Sequence, residues 1–308
     1  MNRKVSVIGA GNVGASVAQY FAEANLADVL LVDILEGIPQ GKALDLTQAG
    51  PIRGYNCRVA GTNDPKDMKG SDIVVVTAGL ARKPGMSRED LLKMNADIVG
   101  ASADNIKKHA SKAFVIVVTN PLDIMTYHAF RRTGFPSNRV CGQAGVLDSI
   151  RFRAFVAMEL NVAMSDVQAM VLGGHGDTMV PLPRYTTVGG IPISELMDAE
   201  RIKAISDRTR NGGAEIVKLL KSGSAYYAPG AASVDMARAI LLDEKRLMPV
   251  SAYLNGEYGM KDLYIGAPVV LGADGVEKVI ELKLQKKELE ALQKSGETYK
   301  GFIKEIGY

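Results

Sequence analysis

The residues best suited to chemistry fall in five short segments. Gly9-Ala10-Gly11-Asn12-Val13-Gly14 is a G-x-G-x-x-G turn, and Asp33 follows it at close to the spacing of about 20 residues found in dinucleotide folds. Each position has a physical use. Gly9 permits a tight turn, Gly11 lets the backbone approach a pyrophosphate, and Gly14 lets helix and strand pack closely. The helix start that follows offers N–H groups to an anion. The Asp33 carboxylate can accept from a ribose diol and repels a 2′-phosphate, which favours NAD over NADP. Arg82 and Arg88 lie in or beside a loop containing Lys83, Pro84 and Gly85, and Asn120 precedes Pro121. Asp148 and Arg151 stand one helical turn apart, and His175 sits among Gly173, Gly174 and Gly176. A histidine titrates near neutral pH, so it can give and take a proton, and one hemmed by glycines is hard to read as a packed core residue. Taken singly, the other assignments stay open. Arg82 and Arg88 are equally solvated loop charges, Asp148 is equally a helix N-cap, and Asp148 with Arg151 is equally an ordinary i,i+3 pair. His109 and His128 read as structural.

These segments need a frame that brings them together, and the patterning supplies one. Strands are expected at Lys4 to Ile8, Val29 to Val32, Arg58 to Ala60, Ile73 to Thr77, Phe114 to Val118 and near Val140. Helices are expected at Ala15 to Glu23, Ile38 to Gln48, Ser87 to His109 and Ile124 to Thr133. Alternating strands and helices imply a doubly wound parallel sheet with right-handed crossovers, which binds ligands beyond the carboxyl ends of its strands. Gly9, Asp33, the stretch Thr77 to Gly79, and Val118 to Asn120 all fall at such ends. The second half reads as mixed α+β. It has helices at Asp148 to Leu160, Glu200 to Leu220, Ser233 to Asp243 and Lys286 to Ile303, and short strands at 167–172, 178–188 and 191–193. A hairpin is expected from Val269 to Leu284, turning at Asp274-Gly275. The expected division is 1–145 for the dinucleotide and 146–308 for the substrate, with a packed boundary in place of a flexible tether.

Bulk properties exclude several classes. The chain has 308 residues, 47% of them apolar, and a net charge of +3, too small to argue for nucleic acid. Two cysteines, Cys57 and Cys141, are too few for a disulfide framework and read as packing residues in a reduced, intracellular protein. Nothing in the sequence reads as a secretory leader, and no apolar run approaches the length of a membrane span.

Together, the glycine turn, the arginine loop, the Asn120 segment, Leu147 to Arg151 and Gly173 to Asp177 resemble the lactate and malate dehydrogenase family. The resemblance covers essentially the whole chain, the motifs stand in the family's order, and the chain is most similar to the NAD-dependent malate branch of the lactate-dehydrogenase-like group. It implies His175 as general acid–base, donating a proton to the oxaloacetate carbonyl oxygen while hydride arrives from the nicotinamide. Asp148 is implied to hold the other ring nitrogen, Arg151 to grip the C1 carboxylate, Arg88 to polarise the carbonyl and Asn120 to bond its oxygen. Gly9, Gly11, Asn12, Val13, Gly14, Asp33, Asn95, Val118 and Asn120 match the family's NAD contacts, and no metal is implied. Arg82 stands where the malate branch pairs an arginine with the second carboxylate and the lactate branch typically has glutamine. The partners implied are malate or oxaloacetate and other copies of the chain, a homotetramer favoured over a dimer, in the cytoplasm, with no nucleic acid and no membrane. A lactate or other 2-hydroxyacid dehydrogenase is the alternative, with a non-catalytic NAD-sensing protein behind it.

Overall fold

A computed structural model describes residues 3–80 and 88–308, without the side chain of Arg88. Arg82 and the loop around it therefore lie outside the described residues. In the first half, β1 (Lys4–Ile8), α1 (Asn12–Glu23), β2 (Asp28–Val32), α2 (Ile38–Arg53), β3 (Val59–Thr62), β4 (Ile73–Val76), α3 (Arg88–His109), β5 (Phe114–Val117), α4 (Leu122–Thr133) and β6 (Val140–Gly142) alternate as expected. Strands β1 to β6 pair in parallel in the order β6-β5-β4-β1-β2-β3, with the reversal of direction between β1 and β4. Strands such as Ile73–Val76 are buried at every position, because helices cover both faces of the sheet.

The second half contains α5 (Ala144–Leu160), the two-residue strands β7 (Val167–Gln168), β8 (Val171–Leu172), β9 (Val180–Pro181), β10 (Thr187–Val188) and β11 (Ile191–Pro192), and the short α6 (Ile193–Leu196). After them come α7 (Ala199–Leu220), α8 (Tyr227–Leu241), β12 (Arg246–Asn255), β13 (Lys261–Gly272), β14 (Gly275–Val279) and α9 (Lys286–Glu305). The short strands expected at 167–172, 178–188 and 191–193 are shorter still, two residues each, with turns and a 3-10 turn between them. The sequence reading also missed β12 and most of β13. Both are buried along most of their length, so they show no alternation, and each carries a proline. Pro249 lies directly opposite Pro268, so the two missing donors fall at one rung of the ladder. Strand β12 pairs antiparallel with β6 through Ser251 and Gly142, which extends the parallel half into one nine-stranded sheet. Helix α8 crosses onto α1, where Gly230 is so close that a Cβ there would lie 2.9 Å from Ser16. Cys141 is buried and Cys57 only half-buried. No described helix is long and apolar enough to cross a membrane.

Candidate active site

The glycine turn comes first, because it fixes where a phosphate can sit. Gly9 has a φ of +99°, in the left-handed region, and a Cβ there would meet Ala78 N at 2.7 Å. At Gly14 a Cβ would lie 1.8 Å from the Gly9 carbonyl oxygen, so only glycine lets α1 start so close to β1. At Gly11 the added atom would have no neighbour within 4 Å. Gly14 thus keeps the helix near the strand, while Gly11 keeps the helix start open, and an open, N–H-rich helix start suits a pyrophosphate. Asp33 is held at the end of β2 by two backbone donors, Ala10 N–H to Oδ2 at 2.6 Å and Leu35 N–H to Oδ1 at 3.0 Å. Each oxygen keeps a lone pair for a ribose hydroxyl. These residues fit an NAD with an unmodified 2′-hydroxyl.

The residues expected to transfer the proton come from the second half. Helix α5 begins at Ala144, so Asp148 is an interior residue and not an N-cap. Its Oδ2 accepts from His175 Nδ1 at 2.9 Å, and its Oδ1 from Arg151 Nη1 at 3.3 Å. The i,i+3 pair exists, then, but it shares its carboxylate with the imidazole. The Asp148 side chain is 2% exposed, that of Arg151 11% and that of His175 13%, so the relay is shielded yet reaches the cavity surface. Because the acceptor at Nδ1 is a carboxylate, Nδ1 carries the proton and Nε2 is left for a substrate. Burial disfavours the imidazolium, and the adjacent Asp148 carboxylate outweighs it, so the His175 pKa is raised above the ordinary imidazole value.

The main chain at His175 is fixed by groups the sequence reading missed. Its N–H donates to Asp123 Oδ2 at 2.8 Å, and Asp123 Oδ1 accepts from the Ser251 hydroxyl at 2.6 Å. Tyr299 Oη donates to the His175 carbonyl at 3.2 Å, the Gly174 N–H donates to Ser295 Oγ at 2.9 Å, and Gly173 exchanges backbone bonds with Gly266. Burial pushes the Asp123 carboxyl up to about 6, with the two donors working against that shift. The loop is thus tied to α4, β12, β13 and α9. Nothing local marks Asp123 or Tyr299 for this task. Only the fold does so, by bringing Asp123 and Tyr299, 52 and 124 positions away in the chain, to His175.

One cavity of about 640 Å³ joins the parts. Gly11, Asn12, Val13 and Gly14 line it, together with Arg151, His175, and Val118 and Asn120 from the rim at the end of β5. Gly9 and Asp33 lie beyond its lining on the turn side, and Asp148 stands behind His175. Asn95 is fully buried and does not line the cavity. Its amide accepts from Leu80 N–H at 2.8 Å and donates to the Asn120 carbonyl at 2.7 Å, so it braces the two strand ends that form the rim. Gln143, Met179 and Arg210 also line the cavity and were not anticipated. Two buried polar atoms on cavity-lining residues have no partner among the described residues, the acceptor Gln143 Oε1 and the donor Arg151 Nε. Unpaired buried groups are costly, and both would be relieved by a polar ligand that offers a donor to one and an anion to the other. Among the described residues no cluster of histidine, cysteine and carboxylates could hold a metal.

Comparison with known proteins identifies the family. Residues 3–142 match the NAD binding domain of lactate/malate dehydrogenase, and residues 145–307 match the alpha/beta C-terminal domain of the same family. The chain is 57% identical over 303 residues to the malate dehydrogenase of Roseiflexus sp. (strain RS-1), covering 98% of each. Among solved structures, it superposes on the malate dehydrogenase of Cryptosporidium parvum with a TM-score of 0.97 and 44% identity, over 99% of each chain. The lactate dehydrogenase of the same organism, solved with lactic acid and nicotinamide adenine dinucleotide, gives a TM-score of 0.96 and 44% identity, over 100% of this chain and 99% of that one.

Proposed function

The chain belongs to the lactate/malate dehydrogenase family, and on that premise we propose that it is an NAD-dependent malate dehydrogenase, interconverting (S)-malate and NAD with oxaloacetate and NADH. The carrying observation is the His175–Asp148–Arg151 relay, which opens into the same cavity as the glycine turn. NAD, when bound, gives or takes the hydride. Every other task falls to the chain. The N-terminal part, 1–145, takes the dinucleotide through Gly9, Gly11, Asn12, Val13, Gly14, Asp33 and Val118, with Asn95 bracing the rim. The remainder, 146–308, supplies the acid–base. His175 gives its Nε2 proton to the carbonyl oxygen of oxaloacetate and reclaims it from the hydroxyl of malate. Asp148 holds the tautomer and stabilises the imidazolium between those events. Arg151 takes the C1 carboxylate, Arg88 polarises the carbonyl, and Asn120 bonds its oxygen from the strand end.

Arg82 sets the substrate. A dicarboxylate in a closed site needs a second cation, and a cation facing the methyl group of pyruvate would be left uncompensated. A lactate dehydrogenase remains the second reading, because the lactate enzyme of C. parvum superposes almost as closely as its malate enzyme. Initial rates with oxaloacetate and with pyruvate, each with NADH and with NADPH, decide between them. The malate reading requires oxaloacetate with NADH to be fastest, and it fails if pyruvate matches oxaloacetate. A homotetramer built from two dimers, working in the cytoplasm, completes the proposal, and light scattering tests the assembly.

A further inference from the structure

The glycine turn is held from outside the strand–turn–helix unit by two charged side chains, and only Asp33 belongs to the dinucleotide fingerprint. The other is Lys42. Ala10 is fully buried; its N–H goes to Asp33 Oδ2 at 2.6 Å, and its carbonyl oxygen accepts from Lys42 Nζ at 2.7 Å. Lys42 lies half-buried on α2, near Pro39, whose carbonyl oxygen would be 2.1 Å from a Cβ at Gly61. Helix α2 is therefore set tightly against β3, and the lysine reaches the turn from a fixed base. Among the described residues Lys42 forms no ion pair, so its charge is not cancelled by a carboxylate at contact distance.

The peptide that Lys42 grips joins Ala10 to Gly11. In a trans peptide the C=O and the following N–H point in opposite directions. A carbonyl tied to Lys42 therefore aims the Gly11 N–H the other way. That N–H has no acceptor among the described residues, and Gly11 lines the cavity with open space beside it. We infer that Lys42 is a cofactor-positioning residue that fixes the Ala10–Gly11 peptide so that the Gly11 N–H meets the pyrophosphate, and that its ammonium adds a positive charge beside that anion. The inference rests on the NAD reading and goes beyond the fingerprint, which assigns nothing to α2.

The test compares Lys42→Met and Lys42→Arg with the wild-type full chain, using calorimetry with ADP-ribose and with adenosine, NADH titration, and thermal unfolding of the ligand-free protein. Lys42→Met is expected to weaken ADP-ribose and NADH roughly tenfold, about the worth of one charge-assisted bond from a Gly11 N–H that is no longer aimed at the pyrophosphate. Adenosine affinity and kcat at saturating NADH should stay within about twofold of wild type while the KM for NADH rises, and the ligand-free unfolding temperature should fall only modestly, because one buried acceptor, the Ala10 carbonyl, loses its donor. Lys42→Arg should restore most of the ADP-ribose affinity. Unchanged ADP-ribose binding in Lys42→Met overturns the inference. So does an equal loss with adenosine, which lacks the pyrophosphate, or a fall in ligand-free stability with no loss of ADP-ribose affinity. Wild-type protein that fails to bind NADH would overturn the NAD reading itself and this inference with it.

Discussion

At the scale of the residue, the site is two side chains, His175 and Arg151, sharing the Asp148 carboxylate, with a second carboxylate, Asp123, behind them. Asp123 receives two donors in a fully buried position, so Asp123→Ala leaves the His175 N–H and the Ser251 hydroxyl unpaired. Denaturant unfolding should show a loss of about 2–6 kcal/mol, at ~1–3 kcal/mol for each orphaned group. Asp123→Asn can still accept from one donor and give to the other, and should lose far less. The raised pKa also has a sign. A carboxyl whose folded pKa is about 6 favours the fold while protonated, and that contribution is lost as pH rises from the unfolded carboxylate range through 6. Wild-type stability should fall across that window, and Asp123→Asn should flatten the slope. A slope that is the same in both proteins would show that Asp123 ionises as it does in the unfolded chain. For Arg82, Arg82→Gln should lower kcat/KM for oxaloacetate by roughly two orders of magnitude, the ~3 kcal/mol of a buried charge left without its partner, and raise the relative rate with pyruvate. Unchanged oxaloacetate kinetics would remove Arg82 from the site. His175 stood out in the sequence by its glycine flanks, whereas Asp148 and Arg151, equally an N-cap and an ordinary i,i+3 pair when taken singly, were singled out only by the resemblance of their segment to the family. Asp123, Ser251 and Tyr299 were not, since their task exists only once distant elements meet.

At the scale of the element, the turn from β1 into α1 separates two roles that a motif alone merges. A Cβ at Gly14 collides with the Gly9 carbonyl, whereas a Cβ at Gly11 meets nothing in the protein. Gly11→Ala should therefore leave the ligand-free unfolding temperature unchanged and weaken NADH binding, while Gly14→Ala should lower both. Paired thermal unfolding and NADH titration read this directly, and an equal loss of stability in the two variants would refute the separation. The parallel half was readable because short apolar strands alternate with amphipathic helices and a glycine marks the first turn. Strand β12 was not readable. Its residues Met248 to Ala252 are all buried, Pro249 interrupts the run, and neither feature signals a strand. Helix α5 shows the same limit at its boundary. It starts at Ala144, four residues before the acid that the sequence offered as its cap, because the chain turns directly from β6 into the helix.

At the scale of the molecule, the two halves are one body at the sheet. Strand β6 of the dinucleotide half is bonded to β12 of the other half, and α8 lies against α1. One apolar core gathers Val5, Ile73 and Ile116 from the first half with Met236, Val250 and Val269 from the second. Such shared packing predicts a single cooperative calorimetric transition for the chain at fixed protein concentration. NADH at about 100 times its Kd should raise that transition as a whole, by an amount equivalent to ~2.7 kcal/mol. Two resolved transitions, only one of them moved by NADH, would show that the halves unfold separately. The apolar content of the sequence told of a large core. It did not tell that the core crosses the boundary near residue 145, because that depends on which strand pairs with β6.

The most direct test of the central claim is the pH dependence of kcat/KM for oxaloacetate reduction, in wild type and in Asp148→Asn. In the proposed reaction the imidazolium of His175 must be present to donate its proton, and the Asp148 carboxylate is what raises its pKa against the cost of burial. The wild-type rate should hold up to a pH above the ordinary imidazole range and then fall, and the fall should move to lower pH in Asp148→Asn. A falling limb at the same pH in both proteins would contradict that claim.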